Sequence, residues 1–254
     1  MLPSPATLRN QVKEYLADSD NLTSASIKKA AASAVFPDIY RASLATHTIL
    51  GGLSGSRLHP TLAPARSIAV RVPLLVAIGQ SSVASAELRR FLELALWTIY
   101  FTDHPIEWRV FLNNKSKGFA QDIHQPISYA AHRQLNAYLD YAGELMGAEP
   151  SGLGKTAIEG LRQVVWELNS MVHAGRIARE ARKLPPQDDV SETALRSFLK
   201  IQRATFSNCC ILLCAYRREK FDKLNAVSRS YFDWLVGPSA RKRVRAGPFG
   251  ISFA

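Results

Sequence analysis

Residues 85–101 are apolar on nearly every side when they are placed on a helix. A helix of this kind must be covered all round, so we expect it at the centre of the fold. Three long segments with one apolar face follow it, at about residues 119–146, 156–183 and 190–223. Residues 67–79 are rich in Ile, Val and Leu but have no second strand-like segment to pair with, so we expect a helix kinked at Pro73. The sequence therefore predicts an all-α, antiparallel up-down helical bundle with extra N-terminal helices.

A stretch rich in glycine, serine and proline interrupts this helical pattern after residue 50. Such residues favour turns and loops, and we interpret residues 51–64 as a linker. The remaining units of the predicted organisation are an N-terminal helical appendage at residues 1–50, a main helical bundle at residues 65–236 and a basic C-terminal tail at residues 237–254.

Composition and local pattern exclude several classes of protein. The apolar fraction of 47% is ordinary for a globular chain. The most lipid-like segment, residues 67–86, contains Arg71 and Pro73, and its uninterrupted apolar run is too short to span a bilayer. The first residues do not have the pattern of a secretory signal. We therefore expect a cytoplasmic protein that does not cross a membrane.

The three cysteines, Cys209, Cys210 and Cys214, lie in one apolar helical segment. A secreted disulfide framework would spread its cysteines through the chain, and a zinc site needs four ligands that are not present locally. We predict buried thiols, with no metal or other cofactor.

One helix, in the segment at about residues 156–183, carries a row of polar groups beside an apolar stripe. At 100° per residue the polar members fall within about 60° of one another. They are Arg162, Asn169, His173, Arg176 and Glu180, and the stripe is Leu161, Val165, Leu168 and Val172. Two interpretations fit this pattern: a groove or interface that holds chemistry, or a hydrogen-bond network at the edge of the core.

Glu93 lies in the middle of the apolar central helix. A buried carboxylate needs a partner, because an unpaired buried charge costs several kcal/mol. One interpretation is an ion pair with Arg89, one turn earlier, or with an arginine of another helix. The other is that Glu93 faces the polar row and orients the imidazole of His173.

Asp103 and His104 stand in a turn with proline and tryptophan, where they could bind a metal or a substrate. The simpler interpretation is that Asp103 caps the next helix. A metal site made from Glu93, Asp103, His104 and His173 is a further alternative, but no pair among them has a recognisable ligand spacing.

The net charge of +11 is concentrated in the second half of the chain, where residues 155–254 have a net charge of +9. This distribution indicates an acidic partner, most often nucleic acid, either RNA or DNA. The tail contains a basic cluster that is either an arm contacting phosphates or a solubilising end. Its members are Arg241, Lys242, Arg243 and Arg245.

The helical bundle, with Arg89-Arg-Phe-Leu-Glu93 on one helix and Leu168-Asn-Ser-Met-Val-His173 on a later one, resembles the HEPN superfamily over about residues 65–236. The resemblance implies a small α-helical domain of prokaryotic defence and toxin systems. Its active members are metal-independent ribonucleases that form homodimers, in which two Arg-x(4–6)-His motifs meet. In this chain no arginine has that spacing before His173, and only Arg41 and His47 fit it.

Two functions follow. The first is a helical protein of a prokaryotic defence or mobile-element system that binds nucleic acid or a protein partner through its basic C-terminal half. The alternative is a metal-independent HEPN-type ribonuclease or toxin, with His173 as the acid–base. In it Arg162 and Arg176 would hold the phosphate, Asn169 would hydrogen-bond it and Glu93 would set the imidazole. We favour the first, because the expected motif spacing is missing at His173.

Overall fold

A computed structural model describes residues 20–54, 59–106, 109, 130–147, 152–180 and 190–238. In residues 59–60, 130–134, 147 and 170–180 it describes the backbone alone. These parts of the chain form helices and connecting turns and contain no strand, which confirms the predicted all-α bundle. The helices are α1 (20–32), α2 (Phe36–Leu53), α3 (His59–Ala77), α4 (Ser81–Asp103), α5 (Ala130–Gly147), α6 (Leu153–Glu180), α7 (Glu192–Tyr216), α8 (Arg218–Phe221) and α9 (Ala226–Val236). Within the described residues, no helix is both long and apolar enough to cross a membrane.

Helix α4 is the central helix, as its all-round apolar sequence predicts. It packs against α3, α5, α6 and α7, and its residues Leu88, Phe91 and Ile99 are fully buried. The ring of Phe91 meets that of Phe206 on α7 edge-on, with 4.8 Å between centroids. The core of the bundle therefore lies around α4.

Two pairs of consecutive helices, α3 with α4 and α5 with α6, form antiparallel hairpins. The three-residue connection from α3 to α4 brings Arg71 beside Glu87 near the turn, while Thr98 donates to Thr61 at the far end of the pair. Helices α5 and α6 pair in the same way: a Cβ on Gly154 would lie 2.7 Å from Met146, next to the turn. These pairs give the up-down order of a bundle.

The predicted separation of an appendage from the main bundle needs correction. Residues 51–53 and 59–64, assigned to a linker by their composition, are helical and belong to α2 and α3. Gly52 serves close packing here, because a Cβ at this position would lie 2.2 Å from Leu224. Ile39 and Ile49 of α2 are fully buried in the same core as α4 and α7, and the Gln202 side chain of α7 donates to the Ile39 carbonyl. Residues 1–19 lie outside the described part of the chain.

Helix α9 lies antiparallel to α2 and also packs against α7. Gly52 of α2 is close to Leu224 and Ser228 at the start of α9, whereas Arg41 of α2 stacks on Trp234 near its end. Asn225 caps α9, because its side chain accepts a hydrogen bond from the backbone N–H of Ser228 at 2.8 Å. The arrangement brings the N-terminal part of α2 beside the last described helix.

Candidate nucleic-acid interface

Helix α6 presents the predicted polar row at the edge of a buried stripe. Its apolar residues Leu161, Val165 and Leu168 are buried, while Asn169 is half-buried. The helix continues through Glu180, so His173 and Arg176 follow in the same row by register. The side chains of His173 and Arg176 lie outside the described part of the chain. The catalytic role of His173, with Asn169 beside it, and the phosphate contact of Arg176 stay predictions.

Arg162, the first member of this row, forms an ion pair with Asp140 of α5 at 2.6 Å. Both side chains are more than half exposed, 53% and 64%, and exposed pairs of this kind contribute little to stability. The pair nevertheless places a carboxylate beside the guanidinium. The charge of α6 is also nearly balanced, because residues 153–180 hold 4 Lys and Arg against 3 Asp and Glu.

Glu93 forms the local ion pair that one interpretation predicts. The Nε of Arg89 donates to its Oε1 at 3.3 Å, and only 10% of the Arg89 side chain is exposed. Burial raises the pKa of Glu93, and the neighbouring Arg89 opposes this increase. Glu93 is therefore tied to its own helix through Arg89, and the orientation of His173 by Glu93 stays a prediction.

Asp103, the last residue of α4, has two phenol partners. The helix that it is predicted to cap lies mostly outside the described part of the chain, so the capping role stays a prediction. The hydroxyl of Tyr141 donates to Oδ2 at 2.6 Å, and that of Tyr216 donates to Oδ1 at 2.5 Å. Burial and the carboxylate raise the pKa of both tyrosines above its usual value, so the phenols stay neutral donors. One carboxylate thereby joins α4, α5 and α7.

His104 lies beside this junction with its ring held from two directions. It stacks on Tyr100 at 4.2 Å between centroids, and its Nδ1–H donates to the Tyr100 carbonyl at 2.9 Å. No group of three or more His, Cys, Asp or Glu that could hold a metal occurs in the described parts of the chain.

The cysteines are buried thiols, as predicted, and burial raises the pKa of Cys210 to about 12.

Arg41 and His47, the pair with HEPN-like spacing, point to different neighbours. His47 lies against Arg66 of α3, with its Nε2 3.1 Å from the guanidinium. Because the carbonyl of Arg66 can only accept, the Nδ1 of His47 donates to it, at 3.3 Å. Arg41 instead stacks on Trp234 of α9. The two side chains therefore do not form one site within the chain.

Most of the positive charge lies after α6. Residues 190–254 hold 12 Lys and Arg against 4 Asp and Glu, a net charge of +8 out of the total +11. On α7 the basic residues Arg196, Lys200 and Arg203 recur at the spacing of one helical face. The only acidic partner of this row in the described residues is Glu192, whose oxygen is 3.8 Å from Arg196.

Basic side chains continue around α9. Lys223, next to α8, is exposed and Lys220 is half-buried, while the guanidinium of Arg229 donates to the Asp222 carbonyl at 2.8 Å. The other end of α9 is occupied by arginines from two helices. We call the whole set the basic region; it comprises Arg41, Arg196, Lys200, Arg203, Lys220, Lys223 and Arg229.

The arginines at the end of α9 share one aromatic ring. The guanidinium carbon of Arg41 is 4.5 Å from the ring centroid of Trp234, and that of Arg203 is 4.8 Å from it. Arg203 also donates to the carbonyl of Trp234 at 3.3 Å, where it satisfies an acceptor in the last turn of α9. No salt bridge joins Arg41 or Arg203 to a carboxylate within the described chain. We call this arrangement the arginine–tryptophan stack.

The predicted tail residues Arg241, Lys242, Arg243 and Arg245 lie outside the described part of the chain. Their distance from the stack is nevertheless limited by chain length. Arg241 follows Trp234 by seven residues, so their Cα atoms are at most about 25 Å apart.

Comparison with models of known families gives no match, and comparisons with curated proteins and with solved structures give none either.

Proposed function

We propose that this protein binds nucleic acid through the basic region and the tail that follows it. The observation that supports this most strongly is the concentration of +8 charges in residues 190–254, with stacked guanidiniums that have no carboxylate partner in the described residues. Phosphate contacts from Lys and Arg supply most of the affinity of sequence-independent binding. The polar row on α6 has a smaller part in this function, because its charge is nearly balanced.

Binding is tested by fluorescence anisotropy with labelled single-stranded and double-stranded oligonucleotides, each measured over a range of salt concentrations. We expect the logarithm of the association constant to fall linearly with the logarithm of salt concentration, since bound phosphates release counterions. A wild-type protein that does not bind either oligonucleotide at low salt would refute the proposal.

A matched pair of variants locates the surface. The double variant Arg196→Gln/Lys200→Gln removes two exposed charges from the basic region, and Arg71→Gln/Arg90→Gln removes two exposed charges from α3 and α4. Net charge is the same in both, so a general electrostatic effect would weaken binding equally. We expect a loss of about tenfold in the first and less than twofold in the second. Equal losses would show that the basic region is not the binding surface.

A further inference from the structure

We infer that the arginine–tryptophan stack is a preformed site for the phosphodiester backbone of nucleic acid. The inference rests on the proposed function and names the chemical group that this part of the basic region recognises. It follows from three properties of the stack. The two guanidiniums are held in place, they have N–H donors left to bind a ligand, and neither pairs with a carboxylate in the described residues.

The order comes from the indole ring. An exposed arginine normally samples many rotamers, and binding a phosphate must restrict them. Here the guanidinium carbons of Arg41 and Arg203 lie over one ring, 4.5 and 4.8 Å from its centroid. Cation–π contact of this kind favours the charged groups in fixed positions. Part of the conformational entropy that these side chains would lose on binding is therefore already lost in the free protein.

The donors remain available because stacking uses the face of a guanidinium and leaves its N–H edge open. Arg203 donates to the Trp234 carbonyl, which leaves the rest of its donors. Arg41 is exposed, and the contact that the structure gives it is the stack on Trp234. A planar group with paired N–H donors matches two oxygens of a phosphate.

The ligand is a phosphate group rather than a base. Both guanidinium carbons are less than 5 Å from the Trp234 centroid, so the indole is already in contact with two cations and is not an open platform for base stacking. The two guanidiniums lie within about 9 Å of each other, and an anion beside them relieves the repulsion between like charges. Recognition of this kind is independent of base sequence.

Charge-conserving variants separate this site from general attraction to a basic surface. Lysine keeps the charge but cannot stack or offer a planar pair of donors. We expect Arg41→Lys/Arg203→Lys to weaken binding of a labelled single-stranded RNA about tenfold, since each stack contributes about fivefold or less. The matched control Arg196→Lys, on the same basic region but without an aromatic partner in the described chain, should change affinity less than twofold. Because Arg203 also ties α7 to α9, Arg41→Lys is measured alone, with its melting temperature.

The outcomes are distinct. Loss of binding in the stack variants, with the wild-type melting temperature retained in Arg41→Lys, supports the site. If the stack variants bind as tightly as Arg196→Lys, the site is refuted while the proposed function stands. If the wild type does not bind RNA, the proposed function fails. An oligonucleotide with an uncharged methylphosphonate backbone should bind weakly, and equal binding would refute phosphate recognition. Preferential binding to phosphatidylglycerol vesicles would assign the stack to a membrane surface and refute the inference.

Discussion

Charged side chains have different kinds of partner in two regions of this bundle. Around α4 and the start of α6, polar groups have internal partners: Arg89 pairs with Glu93, Arg162 pairs with Asp140, and Asp103 accepts from two phenols. Around α9, arginines stack on an indole without a carboxylate in the described residues. A partnered group contributes to the fold and has little capacity left for a ligand. An ordered cation without a carboxylate partner can bind one. Changes in the first region should therefore alter stability, and changes in the second should alter binding.

The largest effect is expected from the tail. Replacing Arg241, Lys242, Arg243 and Arg245 with glutamine removes four positive charges from the tail. If all four contact phosphates of a single strand, the salt slope falls by about 3 and the affinity by about a hundredfold. Salt titrations by anisotropy measure both, and the melting temperature should not change. A variant with wild-type affinity would show that the tail is only a solubilising end.

Asp103 should give the largest loss of stability. The Asp103→Ala variant leaves the hydroxyls of Tyr141 and Tyr216 without their acceptor. Hydrogen bonds to a charged group contribute about 1.5–3 kcal/mol each, so loss of both should lower the free energy of unfolding by about 3–6 kcal/mol. Urea denaturation measures the loss. RNA affinity should be retained at temperatures where the variant is folded, and a stable variant that no longer binds RNA would break the comparison.

The free energy of unfolding at alkaline pH tests the same contact between Asp103 and the two tyrosines, and the direction of its change can be predicted. The pKa of Tyr141 and of Tyr216 is raised in the folded protein above the reference value of 10.0. Between the unfolded and the folded pKa the folded state binds more protons, so the stability that the two phenols contribute is complete below about pH 10 and is lost as pH rises further. The buried cysteines contribute a loss of the same sign.

The Tyr141→Phe/Tyr216→Phe variant isolates the part that belongs to the phenols. Its free energy of unfolding, measured from pH 8 to pH 11, should decline less steeply than that of the wild type. Parallel curves for the two proteins would contradict the role of these hydroxyls as protonated donors.

The smallest effect is expected at Arg162. Arg162→Gln breaks an exposed ion pair with Asp140, which should change the free energy of unfolding by less than about 1 kcal/mol. RNA affinity should change less than twofold, because the carboxylate of Asp140 already offsets the charge of Arg162 in the wild-type protein. A loss as large as that of the tail variant would place the interface on α6 and reverse the comparison.

The sequence predicts what depends on local spacing. The central position of α4 follows from its apolar surface, and the pair Arg89–Glu93 follows from a separation of one helical turn. Gly51 and Gly52 are typical of a loop, but both lie in α2, where the absence of a side chain at Gly52 leaves room for the side chain of Leu224. That contact joins distant parts of the chain, so it cannot be predicted from the spacing of residues along the sequence.

The candidate site was less predictable for the same reason. Asp103 takes its phenols from residues 38 and 113 positions away, and the stack combines Arg41 of α2 with Arg203 of α7 and Trp234 of α9. A signal was nevertheless present in the spacing of Arg196, Lys200 and Arg203. The charge balance of each helix would not have been enough by itself, because α3 and α7 both have a net charge of +2.

The most direct test is lysine footprinting of the wild-type protein with and without bound RNA, in which each lysine reports its own acetylation rate. Lys200, Lys223 and Lys242 belong to the basic region and the tail, whereas Lys28 and Lys155 lie on α1 and α6. Bound RNA should slow acetylation in the first group severalfold and leave the second group unchanged. Protection of Lys155 with no protection of Lys200 and Lys223 would contradict the assignment of the binding surface.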